Sequence, residues 1–81
     1  MKPEETEIGM MVEWSFGGLA DIRDAPFKKY GEWYVHIRPF NTGDPSTGVG
    51  MLRRWPVAQL EPADMDRWSY DASANRWNKR R

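Results

Sequence analysis

The sequence predicts a small all-β domain: five short strands closed into a barrel, followed by an aromatic, basic C-terminal extension. Three observations predict it. Apolar and polar residues alternate over several short runs, the period of a strand with one buried and one wet face. Clusters rich in Gly and Pro separate those runs. Before Pro62, no apolar spacing keeps a helical period for more than one turn.

The elements follow in order. Residues 1–7 are polar and expected to be frayed. Ile8 to Trp14 reads as a first strand, with Met10, Val12 and Trp14 in one phase and Met11 and Glu13 in the other. Phe16-Gly17-Gly18-Leu19 is a tight-turn signal, because glycine takes positive φ without steric cost. Leu19 to Arg23 resumes extended structure, and Asp24 to Lys29 reads as a loop. Glu32 to Phe40 is the clearest strand: Trp33, Val35 and Ile37 share one phase, Tyr34, His36 and Arg38 the other. Asn41 to Gly48 holds only turn-forming residues and small polar ones, so an exposed, mobile loop is expected. Val49 to Trp55 forms the next strand. Pro56 to Leu60 suits a single 3-10 turn, and Leu60 to Pro62 a short final strand.

The barrel is thus placed at residues 8–62 and the extension at 63–81. Within the extension Trp68 and Tyr70 alternate, Asp71 to Asn75 supplies turn chemistry, and Trp77 follows. This pattern predicts a β-hairpin laid against the barrel. A short helix from Ala63 with a disordered basic tail is the alternative.

Composition bounds the function. The 81 residues suffice for one domain. The absence of cysteine excludes disulfides and thiolate metal sites and suits a reducing cytoplasm. No apolar run reaches the roughly 20 residues that span a bilayer, and the acidic start lacks a signal-peptide core; a cytoplasmic protein without membrane contact is expected. The net charge is zero, but five basic and eight acidic residues precede Arg53, and seven basic and four acidic follow from it. Five Trp, three Tyr and three Phe supply much buried area for a short chain.

The order of pieces resembles the SH3-like barrels, the group that includes Tudor and KOW domains. Ile8-Gly9-Met10-Met11-Val12-Glu13-Trp14, Gly18-Leu19-Ala20-Asp21-Ile22 and Trp33-Tyr34-Val35-His36-Ile37 stand for the first three strands. Pro56-Val57-Ala58-Gln59-Leu60-Glu61-Pro62 stands for the 3-10 turn and closing strand. The resemblance implies the fold and leaves the function open. Trp55-Pro56-Val57-Ala58-Gln59-Leu60-Glu61 is also similar to the closing stretch of type II dihydrofolate reductases, tetrameric barrels around a pore for folate and NADPH. Where that family has Val-Gln-Ile-Tyr lining the pore, this chain has Leu52-Arg53-Arg54-Trp55. A symmetric pore would hold each arginine four times, a strong like-charge repulsion unless anions fill it.

Catalysis needs positioned acids, bases or nucleophiles. One histidine and no cysteine exclude Cys/His pairs and multi-His metal sites, and no phosphate-binding glycine motif is present. No enzyme, no metal and no cofactor are expected. The candidate binding residues are Tyr34, His36, Arg38, Arg53, Arg54 and Trp55 on the sheet, with Phe16, Phe27 and Tyr30 in loops. Tyr34, Arg38, Arg54 and Trp55 are expected to form one patch, of the residue types that dominate interface hot spots. The expected function is protein–protein binding by a small accessory protein, of a size that suits a phage or mobile element. The alternative is nucleic-acid binding through Arg53, Arg54, Arg76, Trp77, Lys79, Arg80 and Arg81, with rings stacking on bases. A reductase-like oligomer is the third reading. Self-association through exposed strand edges is a further expectation.

Overall fold

The computed structural model describes residues 1–43 and 49–80. The centre of the loop expected at Asn41 to Gly48 lies outside the described residues, as does Arg81.

The chain is all-β, and its helical elements among the described residues are three single 3-10 turns. Strands β1 (Met11–Glu13), β2 (Leu19–Ile22), β3 (Phe27–Lys29), β4 (Glu32–Pro39), β5 (Arg53–Pro56) and β6 (Glu61–Pro62) form one antiparallel sheet. β4 is its spine. Ile37 pairs with Ile22 of β2 on one side and Arg53 of β5 on the other, and Tyr34 lies between Phe27 of β3 and Pro56 of β5. β1 pairs with β2, and after a 3-10 turn at Val57–Gln59 the chain returns so that β6 pairs with β1.

The inward phases meet as expected from the alternation, except at Trp33, which shares the phase of Val35 and Ile37 but is exposed near the start of β4. Val12, Trp14, Ala20, Ile22, Val35, Ile37, Val57 and Leu60 form one core, none more than 3% exposed. Burial of each aliphatic side chain contributes about 1.5–3 kcal/mol. The Trp14 indole is edge-on to Trp55 at 4.9 Å and to Phe16 at 5.2 Å, so the Ser15–Gly18 turn is packed down on β5.

The structure departs from the sequence reading in three places. Phe27–Lys29, read as loop, is a strand paired with the start of β4. Tyr30 and Gly31, with φ of 54° and 77°, make the tight turn between them, a geometry whose twist suits a two-residue hairpin. The strand expected over Val49 to Trp55 begins only at Arg53. Gly50, at φ 77°, turns the chain while its N–H donates to the Pro39 carbonyl at 3.2 Å, leaving Val49, Met51 and Leu52 exposed. The N-terminus, expected to be frayed, holds a 3-10 turn at Pro3–Glu5, and its amino group donates to the Leu60 carbonyl at 2.9 Å.

Of the two forms open for the extension, the chain takes the hairpin. β7 (Trp68–Asp71) pairs with β8 (Arg76–Lys79). Asp64 caps the single 3-10 turn at Met65–Arg67 by accepting from the Asp66 N–H. Asp71 organises the hairpin turn, accepting from the Ser73 hydroxyl at 2.6 Å and from the Ser73 and Ala74 N–H groups at 3.0 and 3.3 Å. These bonds, the hydroxyl first, hold its carboxyl below the ordinary aspartate value of 3.8, with Arg76 adding a smaller pull. The hairpin docks by Trp68, which is buried, and by polar contacts: Trp77 N–H to the Asn41 carbonyl at 2.7 Å, Asn41 Nδ2 to the Asn75 carbonyl at 2.8 Å, and Lys79 Nζ to Glu13 Oε1 at 2.6 Å.

Candidate binding face

Side chains alternate across a strand, so the outer face of the sheet collects Tyr34, His36 and Arg38 of β4. Cross-strand register adds Phe27 opposite Tyr34 and Arg54 opposite His36. The rings form a ladder: Phe27 stacks on Tyr34 at 6.1 Å and on His36 at 5.2 Å, and the Arg54 guanidinium lies 5.2 Å from the Tyr34 centroid. An arginine over a ring face is an attractive electrostatic pairing that also limits its rotamers.

Asp24 fixes this ladder from below. Its Oδ1 accepts from the His36 backbone N–H at 2.8 Å, and its Oδ2 lies 2.5 Å from His36 Nδ1. A carboxylate only accepts, so Nδ1 carries the proton and Nε2 is the nitrogen left for other contacts. The Arg23 N–H donates to the His36 carbonyl at 2.9 Å, so one carboxylate and one backbone bond pin the β2–β3 bend to the middle of β4.

Arg38 is engaged within the chain. Asp21, its register partner, is buried, and its Oδ2 accepts from Arg38 at 3.3 Å and from Arg23 at 3.2 Å. The Arg38 guanidinium also lies over Phe40 at 5.4 Å. Arg53 and Arg54, by contrast, make no ion pair among the described residues.

The four residues expected as one patch divide. Tyr34, Arg38 and Arg54 share the outer face, but Trp55 is in register with Val35 and turns inward to Trp14. Its indole N–H donates to the Ser15 hydroxyl at 2.9 Å, which in turn donates to Gln59 Oε1 at 3.0 Å. Phe16 completes that inner cluster, 5.4 Å from Trp55, and Arg53 lies 5.9 Å from the Trp14 ring. Tyr30 stands apart at the β3–β4 turn, largely exposed. Adjacent strand residues face opposite ways, so the separation of Arg54 from Trp55 was readable from their neighbouring numbers. Asp24 falls in a segment that reads as a loop between strands, and only the fold brings it to His36.

The basic set expected for nucleic acid is also dispersed. Arg53 and Arg54 lie on opposite faces of β5, Lys79 is paired with Glu13, Arg76 stands across the hairpin from Asp71, and Trp77 packs on Tyr70 at 5.4 Å. The Arg80 N–H closes the hairpin base on the Arg67 carbonyl. A cavity of about 450 Å³ lies between the end of β4 and the hairpin, lined by Arg38, Phe40, Val49, Tyr70 and Trp77 among others. No cluster of three metal-ligating side chains is found among the described residues, and no helix there is long and apolar enough to cross a membrane. No family model matches the chain, and no curated protein or solved structure matches it either.

Proposed function

We propose that the chain is an SH3-like barrel acting as a non-enzymatic binding module, which takes a partner protein on the outer face of β3, β4 and β5. The observation that carries this reading is the continuous surface of Phe27, Tyr34, His36 and Arg54, in which Arg54 is held on a ring and makes no ion pair among the described residues. Held aromatic and guanidinium groups lose little freedom on binding, which is why Tyr and Arg recur among hot spots. The return of β6 to β1 after a 3-10 turn supports the barrel reading. The single histidine is engaged by Asp24 at Nδ1, and among the described residues no other acidic, basic or nucleophilic side chain is bonded to it, which supports binding over catalysis.

Affinity capture from the host with nuclease present tests this reading. The wild-type chain is expected to retain a protein partner, and a Tyr34→Ala/Arg54→Ala variant to lose it while keeping its thermal unfolding transition. Capture that survives both substitutions, or that disappears with nuclease, counts against the proposal.

A further inference from the structure

The outer edge of β5 has a hydrogen-bonding pattern that follows from β4. Both backbone groups of His36 point towards β2 and β3: its N–H donates to Asp24 and its carbonyl accepts from Arg23. The His36–Arg54 pair is therefore a non-hydrogen-bonded pair of the β4–β5 ladder. Val35 and Ile37 make the ladder bonds to Trp55 and Arg53, and the Gly50 N–H to the Pro39 carbonyl continues the same side. It follows that the Arg54 N–H and carbonyl project away from β4. Among the described residues β5 has no other partner strand, and Arg54 is exposed.

Resting on the binding-module reading above, we infer that this edge accepts an extended acidic segment of the partner protein as an added β-strand. Arg54 offers one donor and one acceptor for main-chain pairing. Its guanidinium, steadied by Tyr34, and that of Arg53 on the opposite face make no ion pair among the described residues, so acidic side chains at neighbouring positions of the added strand would meet one on each face. Pro56, next in the outward-facing phase, has no N–H and ends the ladder there, fixing the register. Exposed Met51 and Leu52 continue the edge in the other direction and supply apolar contact. The same arginines disfavour a second copy: pairing two β5 edges would place Arg53 and Arg54 against their counterparts, and like charges across a ladder repel.

A displayed library of random linear peptides, selected on the folded protein, supplies the probe. Enriched sequences are expected to carry Asp or Glu alternating with apolar residues. On titration into isotope-labelled protein, they should slow hydrogen exchange at the Arg54 amide. Arg54→Glu should weaken binding by about tenfold or more, the scale of a lost charge-assisted bond. Arg54→Pro removes an N–H that the β4 ladder does not use, and should remove the remaining binding that Arg54→Ala keeps. If the proline variant does not fold, the glutamate variant and the exchange data decide. Enriched peptides without acidic residues overturn the inference, as does concentration-dependent dimerisation that Arg54→Glu abolishes, or preferential binding of a single-stranded oligonucleotide. Peptides that shift Phe27, Tyr34 and His36 but leave Arg54 exchange unchanged overturn the edge and spare the binding face. A selection that enriches nothing overturns both.

Discussion

The six-stranded sheet and the C-terminal hairpin are built from similar residues and held in different ways. In the sheet, eight buried side chains close on one another, from β1 and the residue after it, β2, β4 and the 3-10 turn between β5 and β6 with the residue that follows it. The hairpin contributes Trp68 as its buried large side chain, while Tyr70 is exposed and Trp77 half-buried. Among the described residues its other attachments are polar contacts to Asn41 and Glu13 and a backbone bridge between Trp77 and Thr42. Apolar burial is cooperative and does not depend on the ionisation of any group. Exposed ion pairs and single hydrogen bonds contribute about 1 kcal/mol or less each. The six-stranded sheet should therefore unfold as a unit, with the hairpin opening below the global free energy.

The sharpest break in this comparison comes from the core. Ile37→Ala removes the residue that joins β2 to β5 through β4 and should cost about 2–5 kcal/mol, read by urea unfolding through tryptophan fluorescence. A cost near zero would mean that the β4 spine is misplaced. Trp68→Ala should cost about 3 kcal/mol at the hairpin, with hydrogen exchange accelerated across β7 and β8 and the amides of β1 to β6 unchanged. Uniform acceleration of both would show that hairpin and six-stranded sheet fold as one unit. Asp24→Ala should cost about 1 kcal/mol, since the pair it breaks is partly solvated. Its marker is faster exchange at the His36 amide, and slow exchange there would remove Asp24 from its assigned place.

The smallest effect concerns Asp71. Its folded pKa lies below the ordinary 3.8, so the folded hairpin prefers the carboxylate. That preference stabilises the turn above the unfolded value and is lost as pH falls through the lowered folded value. Acid titration should loosen the Asp71–Asn75 turn below about pH 4, while Asp71→Asn should flatten that dependence. An unchanged acid response in the variant would assign it to another carboxylate.

Much of this architecture is legible in the sequence because β4 alternates without a fault from Trp33 to Arg38, and because Pro56 to Leu60 permits little but a 3-10 turn. What escaped depends on contacts between distant residues. Phe27-Lys28-Lys29 is too short to show a period, and it becomes a strand because Asp24 pins the preceding bend to His36. Val49, Met51 and Leu52 have strand-like composition, but Gly50 and the Pro39 carbonyl turn them out of register. For the site, the residue types and the separation of Arg54 from Trp55 are legible in the alternation of a strand, while the pairing of Asp24 with His36 is a contact between distant residues that no local pattern shows. The open edge at Arg54 appears only once the direction of the His36 backbone groups is known.

The comparison of regions also supplies the most direct test of the binding account. A captured partner can be titrated against two variants of matched stability, one altered on the sheet face (Tyr34→Ala/Arg54→Ala) and one on the hairpin (Tyr70→Ala/Trp77→Ala). The account predicts that the sheet-face variant loses affinity by about tenfold or more while the hairpin variant binds as the wild type does. Loss confined to the hairpin variant would contradict it, and would move the binding surface to the cavity between β4 and the hairpin.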